Sequence, residues 1–427
     1  MKISNLSYNL QKDKKYILTC SYGPDSMALF RYLVDNGYDF VVAHVNYHIL
    51  EQADDDLRKI LDICKVFSKK VYVLDIHMPE GVNEEDWARK VRYSWFDDLA
   101  KRLGIPDVLV AHNKNDLIET YIMQKDKGQH LHFGIQNFIH LEYCNIVRPL
   151  LNYSKNQLLE YCKETNTDYS IDPSNFDSKF KRNAIRLKMK DYSENDLDTL
   201  FAVINHYNEQ NNKVLNKYLK YFDDVLGFDF ASAHKDGLNQ LEFHICLLYY
   251  IEKEGVSCEL GRGRAEAIYH KLMHHKKNST DYLSEDTWFF YEYGFIKIGR
   301  KHSSYCFDIE EINSIFNVNI NELEYNADKS KFSIKNAISA DFLLKNNEKL
   351  AVNRLFISMK LPLSLRDVRP GIFDEKGNLI YVPRYQRHPR ENGVLQFSLE
   401  NLEKNMRVIC KKQNYALYYK AVEKSYY

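Results

Sequence analysis

From Tyr16 to about Asn166 short apolar runs alternate with amphipathic segments: YILTCSY, SMALFRYLVDNGY, FVVAHVNY, DDDLRKILDICKVF and KVYVLDI follow one another. Apolar runs bounded by polar turns read as buried strands, and the periodic segments between them as helices. Glu84 to Leu103 extends the series, because Trp87, Val91, Trp95, Leu99 and Leu103 recur every fourth residue and form one buried helical stripe. A strand is expected at Val108 to His112, a helix from Asp116 to about Lys125, a strand at NIVRPL, and a helix at SKNQLLEYCKET capped by Ser154. Strands alternating with helices imply a parallel sheet covered on both faces, so the fold class is α/β, a doubly wound parallel sheet.

After the basic stretch Lys179 to Lys190 the alternation stops. Long helical segments are expected at Asp196 to Phe222 and Gln240 to Lys277, followed from about Ser279 by the aromatic, strand-like WFFYEYGFIKIG. Near the end, DEKGN between FD and LIYV reads as a hairpin turn. The expected division is a catalytic α/β domain at 1–190, a helical linker at 191–222, a helical domain at 223–335 and a small mixed α/β or β domain at 336–427.

Composition narrows the classes. The most apolar run, Cys246 to Ile251, is far short of a membrane span. The N-terminus lacks the apolar core and cleavage site of a signal peptide, and the eight cysteines form no CxxC pair. A reduced, cytoplasmic protein without a membrane segment is expected. Lys plus Arg equals Asp plus Glu at 59 each, so any nucleic acid must be held by local clusters.

The first strand runs into SYGPDS, Ser21 to Ser26, and then into a helix. Such a loop aims backbone N–H groups and the positive end of a helix dipole at an anion, and phosphate is the expected guest. An ordinary turn with Asp25 or Ser26 as N-cap fits the same residues. Asp116 and Glu119 stand three apart and share a helix face, as do Arg89 and Arg92. The acids also fit an N-terminal complement to the helix dipole, and the arginines a solvated helix face. KFKRNAIRLKMK at 179–190 is the densest basic run in the chain.

SYGPDS resembles the SGGxDS loop of the N-type ATP pyrophosphatases, or PP-loop enzymes. HVNY at 44–47, NEEDWARKVRY at 83–93, AHNKNDLIETYIMQKDKG at 111–128, IVRPLL at 146–151 and DPSNFDSKFKRNAIR at 172–186 narrow the likeness to the tRNA(Ile)-lysidine synthetase family. The resemblance implies that ATP adenylylates the wobble cytidine of an isoleucine tRNA with a CAU anticodon, and that L-lysine then displaces AMP. It implies ATP and Mg²⁺ as cofactors. The catalytic residues would be Asp25, Arg92, His112, Asp116 and Glu119, with Mg²⁺ on Asp25 and Asp116. ATP would be held by Ser21, Tyr22, Gly23, Pro24, Asp25, Ser26 and Arg89. The tRNA would meet Arg182, Asn183 and Arg186, then Arg262 and Arg264 in the helical domain, and Arg384 and Arg387 in the C-terminal one.

The chain departs from the family pattern at Tyr22, where Gly is usual, at Asn113 and Asn115, and at Tyr47 and Leu50. Another PP-loop enzyme acting on tRNA, such as a thiolase, and a degenerate tRNA-binding protein are the alternative readings. Monomer and homodimer both remain open.

Overall fold

A computed structural model of the chain describes residues 3–49, 52–79, 81–171, 181–223, 227–256, 258–274, 279–284, 287–292, 294–300, 306–308, 332–336, 341–343, 349–351, 366, 370–381 and 422–426. The chain forms two compact units, Met1–Lys213 with Tyr418–Tyr427, and Val214–Leu417. The finer division at 190, 222 and 335 stays a proposal.

The first unit alternates β1 (Lys15–Thr19), α1 (Pro24–Asp35), β2 (Asp39–Asn46), α2 (Ala53–Val66), β3 (Val71–Asp75), α3 (Glu84–Leu103), β4 (Asp107–Leu109) and α4 (Lys114–Lys125). It continues through β5 (Phe138–His140), β6 (Asn145–Val147), α5 (Lys155–Glu164), α6 (Lys181–Met189) and the long α7 (Glu194–Tyr218), inside which the division between the units falls. Strands β3, β2, β1, β4 and β6 are parallel neighbours in that order. Alternation of side chains along β1 serves both faces: Tyr16 and Leu18 enter the core with α1 and α5, while Ile17 enters the core with Trp87, Val91 and Trp95 of α3. This is the doubly wound arrangement expected from the pattern.

Helix α3 has the bounds its stripe predicts, with the Asn83 side chain accepting from the Asp86 N–H and Gly104 closing the helix at φ 65°. Helix α5 starts at a Ser154 capping box, as expected. Two strands have no counterpart in the alternation. Strand β5 runs antiparallel to β6, and the terminal strand Val422–Tyr426 (β18 in chain order) pairs antiparallel with β3 along the opposite edge. An α/β domain ending at 190 therefore lacks one strand of its own sheet.

In the second unit a five-stranded antiparallel sheet runs β7 (Phe222–Asp223), β8 (Gly227–Asp229), β11 (Phe295–Arg300), β10 (Thr287–Glu292), β9 (Ser279–Ser284). It shares a core with α8 (Phe230–Lys235), α9 (Gln240–Lys253) and α10 (Arg262–His274), centred on Phe228, Phe243 and Ile296. The single helix expected over Gln240 to Lys277 is broken at Gly255, whose φ of 63° no helix can continue. Six short strands, β12 (Cys306–Asp308), β13 (Ser333–Asn336), β14 (Asp341–Leu343), β15 (Lys349–Ala351), β16 (Pro370–Phe373) and β17 (Leu379–Tyr381), form a third sheet. The hairpin expected at DEKGN joins β16 to β17, with Gly377 at φ 79° in its turn. Among the described residues no helix is long and apolar enough to cross a membrane.

Deleting 418–427 should lower the melting temperature of the full chain's first unit, by about 2–4 °C for each kcal/mol of edge pairing lost. Differential scanning calorimetry checks this, and an unchanged transition would mean that β18 adds nothing to the sheet.

Candidate active site

The phosphate loop leaves β1 at Cys20 and enters α1 through Gly23, which is the N-cap, with Pro24 at the first helical position. No side chain caps this helix, so the ordinary-turn reading with Asp25 or Ser26 as cap does not hold. Ser26 lies inside the first turn, donates to the Gly23 carbonyl at 2.9 Å and accepts from the Ser21 N–H at 3.3 Å. The start of α1 thus carries no side-chain cap on its first-turn amides, the arrangement that suits an anion.

Tyr22 sits at φ 61°, the left-handed region that suits the family's glycine and costs a tyrosine about 1–2 kcal/mol. Burial of its ring in the α1 core offsets that cost, and its hydroxyl donates to Asp168 Oδ2 at 3.1 Å. Burial first, and the Asp168 bond second, push the phenol up, so it stays protonated and donating. The ring therefore packs into the core while the loop backbone keeps the turn.

Asp25 is shared between a cation and the interior. Lys155 Nζ, one residue past the Ser154 cap, meets Asp25 Oδ2 at 2.7 Å, while Asp25 Oδ1 is buried with no hydrogen-bond partner. Burial raises the carboxyl, Lys155 lowers it, and the charge of Asp116 raises it again. The Lys155 backbone N–H also donates to Asn115 Oδ1 at 2.9 Å, which ties α5 to the start of α4.

Helix α4 begins at Lys114, two residues before the expected start, because Asn113 and Asp116 close a reciprocal capping box. The Asn113 departure is thus a functioning N-cap. Asp116 Oδ2 accepts the Asn113 N–H at 3.0 Å, and Oδ1 faces Arg186 at 3.5 Å and Arg182 at 4.0 Å. One turn on, Glu119 is only 3% exposed and is gripped on both oxygens: Arg182 Nε donates to Oε2 at 3.1 Å and Arg186 Nε to Oε1 at 2.9 Å. Burial pushes Asp116 up, but the facing His112 imidazole, the Asn113 N–H and the two guanidiniums bring it below the usual carboxylate range. For Glu119, burial and the neighbouring Asp116 push upward against both arginines.

His112 ends the turn after β4, and its Nδ1 accepts from Arg148 Nε at 3.0 Å, which fixes the proton of the neutral ring on Nε2. Burial, opposed by Asp116, and then the charges of Arg148, Arg92 and Arg182 push the imidazole down to about 3. Arg148 is 1% exposed and spends its other donors on the Gln136 carbonyl at 2.5 Å and the Tyr93 hydroxyl at 3.1 Å. The guanidinium carbon of Arg89 lies 4.7 Å from the centre of the Tyr93 ring, one turn along α3. Burial alone would raise the Tyr93 phenol; Arg148, Arg89 and Arg92 bring it down.

Of the residues expected to act together, Asp25, His112, Asp116, Glu119, Arg92, Arg182 and Arg186 converge in the first unit. Arg262 and Arg264 are exposed in the second, the former paired with Glu266 at 2.9 Å and the latter donating to the Leu283 carbonyl at 3.3 Å. Arg384, Arg387 and residues 172–180 lie outside the described residues, as does the side chain of Asn183. Sequence reasoning passed over Arg148 and Lys155. Arg148 carried a signal, a lone cation between the apolar IV and PLL; Lys155 carried none.

Because the folded ring of His112 binds fewer protons than the unfolded one, this histidine makes stability rise with pH between about 3 and 6.5. From pH 6.5 down to 4.5 the wild type should lose more stability than His112→Asn, by up to about 1.4 kcal/mol per pH unit. Glu119 is present in both proteins, and Asp116 titrates together with His112, so urea unfolding at each pH reports the His112–Asp116 pair by difference. Parallel pH profiles would show that His112 is not buried neutral against Arg148.

Residues 1–192 match the PP-loop domain family. The tRNA(Ile)-lysidine synthase of Mycoplasma mycoides subsp. mycoides SC is 28% identical over 396 residues, 87% of this chain and 97% of the relative. Those of Malacoplasma penetrans and Mesoplasma florum are 34% and 36% identical over 46% and 50% of this chain, covering 68% and 54% of the relatives. Among solved structures, the U34-tRNA thiolase NcsA from Methanococcus maripaludis overlays with a TM-score of 0.41 and 14% identity over 47% of this chain and 73% of its own, too slight a likeness to bear on chemistry. With a phosphate loop, an acid pair and an arginine helix in the positions described, and with relatives at these identities, the chain belongs to the tRNA(Ile)-lysidine synthase family.

Proposed function

We propose that the chain uses ATP to attach L-lysine to the wobble cytidine of an isoleucine tRNA with a CAU anticodon, in the cytoplasm. A pyrimidine carbonyl oxygen is a poor leaving group, so it first attacks the α-phosphorus of ATP and pyrophosphate departs. The ε-amine of lysine then attacks the ring carbon, AMP leaves with the oxygen, and the amine gives up a proton. The observation that carries the reading is Lys155, whose Nζ meets Asp25 of the loop at 2.7 Å while its backbone N–H donates to Asn115 at the start of α4 at 2.9 Å, which supports treating the loop and the acid–arginine cluster as one site.

Within that site the first turn of α1 receives phosphate, and Arg89 and Arg92 supply positive charge as pyrophosphate leaves. Asp25 fits Mg²⁺ because Oδ1 is buried and unpartnered; bound there, the ion would offset phosphate charge. Asp116 fits the metal less well, since one oxygen accepts an amide and the other faces two arginines. Arg182 and Arg186 keep about a third of their side chains exposed while Nε holds Glu119. Their outer nitrogens face Asp116 at 4.0 and 3.5 Å, so a phosphate of tRNA or of the adenylyl group would draw them away from the acids. A guanidinium drawn toward phosphate leaves carboxylate oxygen for the lysine ammonium, and that carboxylate can hold the amine and take its proton. Free lysine has a pKa near 10.4, so presenting the neutral amine near pH 7 costs roughly 4–5 kcal/mol without such help.

Incubation with ATP, Mg²⁺, labelled lysine and bulk tRNA tests the assignment, with Asp25→Asn alongside. Label should enter isoleucine tRNA with wild type, and the variant should lose at least about 10²-fold in pyrophosphate release while staying folded. ATP-dependent pyrophosphate release without lysine incorporation would instead favour another PP-loop modification. No release at all would favour a binding protein.

A further inference from the structure

The geometry points to a second cation site, for a zinc-class divalent ion, held by His48, Asp75 and His77 where β2 and β3 end. None of these residues belongs to the ATP, lysine or tRNA assignments above. The strand register sets Asn46 beside Asp75, so the turn after β2 and the extension of β3 leave the sheet side by side. His48 Nε2 lies 2.5 Å from Asp75 Oδ1, and the ring of His77 stacks on that of His48 with centroids 4.3 Å apart. One ligand atom from each of the three lies within 4.8 Å of the others.

Two imidazoles and one carboxylate form a borderline-soft donor set that suits zinc and its late first-row neighbours, with one position left to water. Mg²⁺ prefers oxygen alone and is excluded by the same chemistry. Around a tetrahedral ion with bonds of about 2.0–2.2 Å the ligand atoms stand roughly 3.3–3.5 Å apart. The His48–Asp75 pair must therefore open by about 1 Å and His77 must swing in; His77 is exposed, so its ring has room to turn.

The surroundings of His48 argue for a ligand more than the three donors alone. A metal-binding imidazole characteristically gives its second nitrogen to a carboxylate, which fixes ring and tautomer. Here Nδ1 of His48 faces Asp54 Oδ1 at 3.4 Å, Asp54 is held by Asn46 Nδ2 at 2.8 Å, and Asn46 Oδ1 accepts the His48 N–H at 3.1 Å. His48 takes this position at φ 53°, a backbone state that costs a non-glycine residue about 1–2 kcal/mol. An oriented histidine at a strained turn, aimed at a carboxylate and a second histidine, is arranged to bind an ion that ties the ends of β2 and β3 together.

The test is a Co²⁺ titration of the chelator-treated full chain, followed by visible d–d absorption and equilibrium dialysis. One Co²⁺ per chain should bind with a four-coordinate spectrum, be displaced by one Zn²⁺ and resist excess Mg²⁺. His77→Ala and Asp75→Asn should abolish the band, and Asp54→Asn should weaken binding about 10–100-fold. Zn²⁺ should raise the melting temperature of the wild type and leave His77→Ala unmoved; because His77 is exposed, that variant folds. Equal Co²⁺ affinity in wild type and His77→Ala, a thiolate charge-transfer band marking cysteine ligands, or no retained ion would each overturn the proposal.

Discussion

Glu119, gripped on each oxygen by the Nε of Arg182 and Arg186, is the interaction on which the site depends. A carboxylate 3% exposed loses most of its hydration, and two charge-assisted bonds replace it. Removing either partner strands a charge in the interior, which is why such a contact holds helices in one arrangement even where its net stabilisation is small. Beneath it Leu117 and Ile118 of α4 pack with Ile185 and Met189 of α6, so the ionic contact and the apolar seam fix the same docking. The position of α4 in turn sets Asp116, His112 and the Asn115 contact to Lys155.

A second constraint works from the opposite side. Arg148 is charged, almost fully buried, and bonded to His112, Tyr93 and a backbone carbonyl. It fixes one tautomer of His112 and links that ring, through Tyr93, to the Arg89 stack on α3. The carboxyl edge of the sheet is thus lined by groups whose orientations are set before any substrate arrives, the condition under which electrostatic stabilisation costs no reorganisation.

Much of this was legible in the chain. The every-fourth stripe gave α3 its bounds, the Ser154 signal gave α5 its start, and the SYGPDS loop sat where the strand–helix alternation required it. Other features had no local signal. Glu119 and its arginines lie more than sixty residues apart, and helix periodicity describes each face without naming its partner. Strand β18 joins the sheet from the far end of the chain, beyond the reach of any local pattern. Tyr22 departs from the family's glycine, yet its side chain turns into the core while its backbone keeps the glycine-like angle. Asn113 departs from the family pattern, and it is the cap that starts α4.

The central claim is that the acids of α4 and the arginines of α6 act as one unit. A double-mutant cycle tests it most directly: kcat/KM for formation of adenylylated tRNA, measured for wild type, Glu119→Gln, Arg186→Ala and the double variant. The account predicts a coupling energy of about 1–3 kcal/mol, with the double variant much less impaired than the product of the two single losses. Additivity within about 0.5 kcal/mol would contradict it, because residues that only share a surface behave independently.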